Sequence, residues 1–272
     1  MTSAVSRETL VNEGATRTGS AKFEDFANTV NVVVGREWRR LMSEPSRVIG
    51  ILLQPLLFLL VFGAGLHESF YVTGSDITYI GFLFPGMLAL VVLFATIYST
   101  LTLVEDKKCG FFRSVLFGPG GIQAAIIGKI MATASVGLVQ GLLFSSLIMF
   151  LPVNITLNGI GYLVMSMLVG SVCCSIIGVS FAWILETSAA FHAFMSVVLI
   201  PMWLLSGAMF PISRGIFYWL SFLNPMAYLV AGLRASFTPS VSVVLSQMLA
   251  IIAFSLVNLL WLMRRLYARP LE

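Results

Sequence analysis

The chain has 272 residues, of which 58% are hydrophobic and 10% are charged, and its mean hydropathy is +0.96. Soluble domains carry roughly 25% charged residues. This composition therefore excludes a water-soluble fold and predicts that the lipid bilayer surrounds most of the chain. The three cysteines, Cys109, Cys173 and Cys174, are too few for a disulfide framework or a zinc site, and we interpret them as packing residues. No metal site is predicted.

The first 46 residues lack the continuous apolar core of a secretory signal. Residues 1–20 are polar and are predicted to form a disordered tail. In residues 21–46, apolar side chains recur at steps of three and four, which predicts an amphipathic helix lying in the membrane interface with its arginines toward lipid phosphates. The positions assigned to this helix are Arg36, Trp38, Arg39 and Arg40. It is either a simple membrane anchor or a helix that also contacts a cytoplasmic partner.

Six later stretches are apolar and close to the ~20 residues needed to cross the hydrocarbon core. They cover residues 48–66, 80–104, 126–151, 160–185, 191–209 and 241–263. Backbone polar groups find no water inside a bilayer, so these stretches are predicted to be helices. The fold predicted for residues 47–272 is therefore an all-α membrane domain of six transmembrane helices.

Basic residues indicate the orientation of these spans. If both termini lie on one side, 14 of the 16 Lys and Arg residues lie on that side as well. The positive-inside rule then places both termini in the cytoplasm. Because topology explains the formal net charge of +4, the sequence predicts no nucleic-acid partner.

The middle of each predicted span contains no Asp, Glu or Arg. Proton- or ion-coupled carriers and cation channels generally require ionisable groups at that depth. This pattern disfavours both classes and favours a helical bundle that is moved by something outside the membrane.

Two connecting segments have unusual patterns. The inner loop after the second span contains one or two predicted helical turns over 110–116, with apolar side chains, and ends at Gly118-Pro119. This short helix is either a tight connector in the interface or a lever that another protein grips. The outer segment 205–234 is apolar and aromatic, is broken by Pro211 and Pro225, and is predicted to form re-entrant helices or a plain interfacial loop.

Both segments resemble the ABC type-2 permeases, the membrane subunits of drug, polysaccharide and lipid exporters related to the daunorubicin-resistance and nodulation-factor exporters. The inner loop matches at Gly-Phe-Phe-Arg-Ser-x-Leu in 110–116, Pro119 and Gly128-Lys129. The outer segment matches at Ser-Gly-x-x-Phe-Pro in 206–211, Asn224-Pro225 and Arg234. The resemblance covers roughly residues 30–265.

The resemblance implies roles for both segments. The inner loop would be a coupling helix that docks on an ATPase, through Glu105, Gly110, Phe111, Phe112, Arg113, Leu116 and Pro119. The outer segment would be a re-entrant gate built from Ser206, Gly207, Phe210, Pro211, Asn224, Pro225, Tyr228 and Arg234. Two positions depart from the family pattern. Gly120-Gly121-Ile122-Gln123 stands where the family usually has a basic residue, and Ala231 stands where it often has an acidic residue before Arg234.

The function implied is that of a permease subunit in the bacterial inner membrane, exporting hydrophobic or amphipathic compounds such as drugs or lipids, as in multidrug export and antibiotic resistance. Its expected partners are membrane lipid, a second permease copy in a homodimer, and two copies of a separate ATPase that bind ATP and Mg²⁺. The chain itself is predicted to be no enzyme and to hold no cofactor, because its Gly128-Lys129 lacks the spacing of a phosphate loop. The residues predicted to line the substrate path are Phe94, Tyr98, Met202 and Trp203.

Two alternative functions remain. One is a permease that exports polysaccharide or lipo-oligosaccharide. The other is a membrane-embedded enzyme or assembly factor, which would require clustered His, Asp or Cys at one membrane face, whereas His67 and His192 are far apart in the chain.

Overall fold

The structure is a computed structural model that describes residues 2–65, 78–110, 120–151, 153, 155–212, 215–237 and 241–268. Within these ranges the chain is helical and contains no strand. We number its helices in chain order. They are α1 (Thr2–Ser43), α2 (Pro45–Gly65), α3 (Tyr79–Lys108), α4 (Gly121–Ser145, continued by a 3₁₀ turn at Ser146–Phe150), α5 (Leu157–Ile184), α6 (Ser188–Leu204), α7 (Ile216–Ser221), α8 (Pro225–Ala235) and α9 (Val241–Ala268).

In the described part of the chain, five helices are long and apolar enough to cross a membrane, namely α2, α3, α4, α5 and α9. They confirm five of the six predicted spans. The remaining predicted span, 191–209, coincides with the shorter helix α6, which ends at Leu204. The chain turns there because Gly207 has a φ of 77°, a left-handed conformation that glycine adopts without a steric penalty.

Helix α3 forms the centre of the bundle. In its most apolar window 89% of the residues are buried, compared with 22% in α2 and in α9. It packs against α2, α4, α5 and α8, while α9 packs on α5 and α8. Helices α2 and α9 therefore leave apolar side chains exposed on the outside of the bundle, including Leu53, Val61, Leu249 and Val257.

Helix α1 begins at Thr2 and so continues through the segment 2–20 that was predicted to be disordered. No proline precedes Pro45, so nothing in this stretch interrupts the helical hydrogen bonds. Its second half packs along α4, where Val30 and Val33 are buried beside Gly128. This half is part of the bundle and does not lie against the bilayer surface alone.

Helix α6 contains a π turn at Met195–Leu199, directly before Pro201. Proline has no N–H to donate, and its ring crowds the carbonyl four residues earlier. A wider turn accommodates this local disruption of the helix. The π turn therefore lies beside Pro201, where a proline disrupts the helix.

The segment after α6 rests directly on α3. A Cβ atom on Gly86 would lie 2.4 Å from the carbonyl oxygen of Ala208, so only glycine fits between the two backbones. One turn before this contact, the indole N–H of Trp203 donates to the carbonyl of Gly86 at 2.9 Å. Close backbone packing at Gly86 therefore sets the position of the end of α6.

We predict that Gly86→Ala destabilises the protein by about 1–3 kcal/mol, because two backbones must move apart to admit one methyl group. The matched control is Gly161→Ala in α5, where an added Cβ meets nothing within 4 Å. That control is expected to be neutral or to gain up to about 1 kcal/mol from helix propensity. Thermal unfolding in lipid nanodiscs measures both variants, and equal stability of the two would contradict the packing argument.

Candidate functional site

Charged side chains from α1, α3 and α4 meet at one end of the bundle, which we call the basic end. Here α3 finishes at Lys108 and α4 starts at Gly121. We call the group of contacting polar residues the ion-pair cluster. It consists of Arg36, Glu37, Arg40, Thr102, Glu105, Asp106 and Lys129.

The most deeply buried contact of the cluster joins α1 to α4. The Lys129 ammonium donates to the Glu37 carboxylate at 2.6 Å, and their side chains are only 2% and 4% exposed. Lys129 also donates to Thr102 of α3, whose hydroxyl lies 3.1 Å from the second oxygen of Glu37. A buried charge is tolerated only when it is paired and hydrogen-bonded. These three residues therefore hold three helices together at one point.

The arginines of α1 contact carboxylates at the end of α3. Arg36 donates two parallel hydrogen bonds to Asp106, at 3.0 and 2.5 Å, the fork geometry that suits a carboxylate. Arg40 pairs with Glu105 and also lies 3.6 Å from Asp106. The sequence predicts arginines directed at lipid phosphates. In the structure these two bind carboxylates of their own chain, because the adjacent acidic residues 105 and 106 face α1.

The other two predicted residues of α1 differ from each other. The Trp38 indole N–H donates to the Ser135 hydroxyl of α4 at 3.0 Å, which adds a further contact between these helices. Arg39 is exposed and donates to the carbonyl of Gly35 in its own helix. Of the four predicted positions, Arg39 is thus the one that faces the surroundings.

The predicted coupling helix falls mostly outside the described residues. Phe111, Phe112, Arg113, Leu116 and Pro119 all lie there. The two predicted coupling residues that the structure does describe, Glu105 and Gly110, lie just before this segment. Glu105 belongs to the ion-pair cluster, and Gly110 has a φ of 74° just after α3 ends.

Where this segment returns to α4, it contacts α1 directly. A Cβ atom on Gly120 would lie 2.3 Å from the hydroxyl oxygen of Thr29 and 3.0 Å from the carbonyl of Asp25. Gly121 follows with a φ of 66°. Helix α1 therefore packs against the base of the segment 109–120 as well as against α3 and α4.

A cavity of about 360 Å³ opens beside the ion-pair cluster, between α2 and α6, and we call it the cleft. Tyr98, Leu101 and Glu105 form its floor, since steps of three and four place them on one face of α3. Its walls are formed by Arg40, Glu44, Ser46 and Arg47 on one side and by His192 on the other. A cavity of this size is within the range of small-molecule sites.

Beyond the cleft, α2 and α6 contact each other nearer the far end of the bundle, which we call the distal end. There the rings of Phe58 in α2 and Trp203 in α6 stack, with centroids 6.5 Å apart. Among the four predicted path residues, Tyr98 lines the cleft, and its ring lies 6.3 Å from that of His192. Phe94 and Trp203 are buried, and the carbonyl of Met202 accepts a hydrogen bond from Asn224. The predicted path residues therefore do not line one continuous channel.

Residues 28–238 of the chain match the family described as the ABC-2 type transporter, which covers most of its length. The chain belongs to this family. It is similar to nodulation protein J of Rhizobium meliloti (strain 1021), with 27% identity over 208 residues, or 70% of this chain and 73% of the relative. It is also similar to nodulation protein J of Neorhizobium galegae, with 25% identity over 193 residues, or 65% and 67% of the two chains.

A third relative is the transport permease ycf38 of Cyanophora paradoxa, which is 30% identical over 103 residues. That match covers 38% of this chain and 36% of the relative, so the chain spans about a third of that protein's length. Membership of the ABC-2 family makes this chain a multi-pass membrane subunit of a transporter, not itself an enzyme. Subunits of this family normally work with an ATPase subunit.

The outer segment of this ABC-2 subunit is built into the distal end of the bundle. Asn224 caps α8 by accepting from the Met226 N–H at 3.0 Å, and it donates to the Met202 carbonyl of α6 at 2.6 Å. Ser206 and Tyr228 donate to nearby backbone carbonyls, Pro225 begins α8, and Phe210 and Pro211 lie nearer the surface. The hydrogen bonds of Asn224 therefore join the end of α6 to the start of α8.

Arg234 closes this outer segment. It donates to the carbonyls of Gly207 and Phe82, at 3.1 and 3.3 Å, and its guanidinium lies 4.0 Å from the centre of the Phe82 ring. Two carbonyls and an aromatic face thus replace the acidic partner that Ala231 cannot provide.

Sequence reasoning missed the ion pairs formed by Glu37, Asp106 and Lys129. The available signal was a charge in an apolar context. Glu37 continues the stripe of Val30 and Val33 on the buried face of α1, and Lys129 lies inside an apolar run. Because a charge in such a position requires a partner, the two together would have suggested an ion pair.

We predict that Lys129→Met costs about 3–5 kcal/mol of stability, since it leaves the Glu37 carboxylate buried without a counter-charge. The double variant Glu37→Met, Lys129→Met should recover most of that loss, because no buried charge remains. Glu44→Gln, at the more exposed Arg47–Glu44 pair, is the control and should change stability by less than about 1 kcal/mol. Unfolding midpoints in nanodiscs provide the comparison. A single Met variant as stable as the double variant would mean that the pair is not buried.

Proposed function

We propose that this chain is the membrane-spanning subunit of an ATP-driven exporter that takes hydrophobic or amphipathic compounds from the cytoplasm or the inner leaflet. The observation that carries the proposal is the cleft, which is lined by residues of the basic end and shares Arg40 and Glu105 with the ion-pair cluster. A cavity open at one end of a bundle suits a transporter that accepts cargo from that side.

The proposed topology has six crossings, with both termini and the basic end in the cytoplasm of a bacterium and the chain in its inner membrane. Helix α6 is the sixth crossing. At 1.5 Å per residue, Ser188–Leu204 is about 25 Å long, near the lower limit for a span. Helices α7 and α8 re-enter from outside, because α8 is only about 16 Å long and packs between α3 and α5. The excess of Lys and Arg at the basic end supports this orientation.

The proposed assembly contains two copies of this chain and two copies of a separate ATPase, which bind ATP and Mg²⁺. The exposed apolar faces of α2 and α9 supply surface for contact with lipid and with the second copy. The coupling segment 109–120 docks on the ATPase. Its base contacts α1 at Gly120 and adjoins the ion-pair cluster through Glu105, which supports its role as the site where force enters the bundle.

In the proposed cycle, ATP binding favours one arrangement of the ATPase pair and so of the two coupling segments. Because the ion-pair cluster joins α1 to the ends of α3 and α4, α1 moves with them. Helix α1 ends at Ser43 and α2 begins at Pro45, so this movement carries the base of α2 toward α6. The cleft then closes at the basic end, and the Phe58–Trp203 contact separates at the distal end to release cargo outward.

We predict that Phe111→Asp abolishes co-purification with the ATPase encoded beside this chain, or reduces its transport-linked ATP hydrolysis at least tenfold, because a charge replaces an apolar docking side chain. Leu157→Asp is the matched control, since Leu157 is highly exposed at the distal end, at the start of α5. Unchanged assembly and turnover in the Phe111 variant would remove the coupling role from this segment.

We also predict that a cross-link over the cleft stops ATP-driven export. Ser46 and His192 lie on opposite walls, and Ser46→Cys with His192→Cys in a Cys109→Ser background gives two accessible thiols, because Cys173 and Cys174 are buried. A short reducible cross-linker should lower turnover at least tenfold, and reductant should restore it. Each single-cysteine variant treated alike is the control. Normal turnover in the cross-linked protein would show that the cleft does not change width.

A further inference from the structure

Three consecutive charged residues near the end of α3 contact two different neighbours. Glu105 and Asp106 bind arginines of α1, which leads into α2. Lys107, the next residue, contacts the end of α5 instead. Its ammonium donates to the carbonyls of Trp183 and Leu185, each at 2.8 Å. The end of α3 is therefore joined to α1 on one side and to α5 on the other.

The end of α5 is well suited to an ammonium group. The last carbonyls of an α-helix have no partner within the helix, and the negative end of the helix dipole lies there. Helix α5 ends at Ile184, and Leu185 is its C-cap, so Lys107 supplies donors that the helix itself lacks. The ammonium also lies 5.9 Å from the centre of the Trp183 ring, within the range of a cation–π contact, and the nearby carboxylate of Glu186 attracts it.

The end of α5 leads directly into α6, which forms one wall of the cleft. Only residues 185–187 separate the two helices, and His192 of the cleft wall lies in the second turn of α6. The ring of Phe194 in α6 stacks on the ring of Phe181 in α5, with centroids 3.9 Å apart. The base of α6 is therefore held to the end of α5 by a short turn and by a ring contact.

Lys107 is also joined to the start of the segment 109–120. The N–H of Cys109 donates to the carbonyl of Glu105 at 3.0 Å, and the N–H of Gly110 donates to the carbonyl of Lys107 at 3.4 Å. These bonds extend the backbone bonding of α3 as far as Gly110. A displacement of the segment therefore displaces Lys107 as well.

We infer that Lys107 is a positioning residue that transmits movement of the segment 109–120 to α6, so that both walls of the cleft are driven from one point. Glu105 and Asp106 act on the α2 wall through α1, and Lys107 acts on the α6 wall through the end of α5. The inference rests on the proposed function and adds to it a second route of movement, since the cycle described above displaces α2 alone.

Hydrogen–deuterium exchange with mass spectrometry reads the two walls separately and needs no cargo. The sample is the full chain in complex with the ATPase encoded beside it, in phosphatidylcholine nanodiscs. Exchange is measured without nucleotide and with ATP, Mg²⁺ and vanadate. Peptides covering 41–50 report on the junction of α1 and α2, and peptides covering 184–194 report on the turn before α6 and its base. In the unaltered complex, nucleotide should change exchange in both regions.

Lys107→Met should reduce the nucleotide-dependent change in 184–194 at least threefold and leave the change in 41–50, because the contacts of α1 with Glu105 and Asp106 remain. Lys107→Gln, which is polar but shorter and uncharged, should do the same and gives the comparison if the Met variant fails to assemble. Lys107→Arg can still donate to both carbonyls and should retain both responses. Lys108→Met, at the exposed neighbouring lysine, is the matched control and should also retain both.

The outcomes separate the inference from the proposed function. A variant of Lys107 that only loosened the fold would raise exchange in both regions without nucleotide, and that result would contradict a positioning role. Equal responses of 184–194 in the Lys107→Gln and Lys108→Met variants would also show the inference to be wrong, while the movement of α2 would still stand. If neither region of the unaltered complex responds to nucleotide, the proposed cycle fails together with the inference.

Discussion

The ion pair between Lys129 and Glu37 is the contact on which the arrangement of the basic end depends. In a medium of low dielectric constant a lone ammonium or carboxylate is strongly disfavoured, so each of these residues requires the other. Glu37 belongs to α1 and Lys129 to α4, and Thr102 of α3 completes the contact. Their pairing fixes α1 against the two helices that flank the segment 109–120. Arg36, Arg40 and Trp38 add further polar contacts between α1 and the same two helices.

Fixing α1 has a consequence for the cleft, because α1 leads directly into α2. The buried side of α1 is held by the ion-pair cluster, whereas α2 is largely exposed along its length. One wall of the cleft is thus attached firmly at its base and loosely along its sides. In the proposed cycle, α2 therefore moves mainly when α1, to which its first residue is joined, is displaced. The ring contact between Phe58 and Trp203 joins α2 to α6 farther along the bundle, and in the proposed cycle it is the contact that separates.

Much of the fold was predictable, because the length and apolar character of a span follow from the thickness of the bilayer. The predicted bounds 80–104 and 160–185 agree with α3 and α5 within a few residues. The partners of charged residues were not predictable in this way. The pattern of α1 identifies a polar face containing Arg36 and Arg40, but a lipid phosphate and a carboxylate are equally good partners for an arginine. Only the tertiary contact with Glu105 and Asp106 decides between them.

The two departures from the family pattern show how local packing replaces a missing side chain. At Gly120, the first residue of the stretch 120–123 where the family pattern has a basic residue, a side chain cannot be accommodated, because α1 lies where its Cβ atom would be. Gly120 instead packs against Thr29 and Asp25 of α1. At Ala231 no carboxylate is available for Arg234, and the carbonyl of Gly207 and the ring of Phe82 serve instead. In both places a backbone contact between helices performs the positioning. The contact at Gly120 therefore joins the end of the segment 109–120 directly to α1, beside the ion-pair cluster.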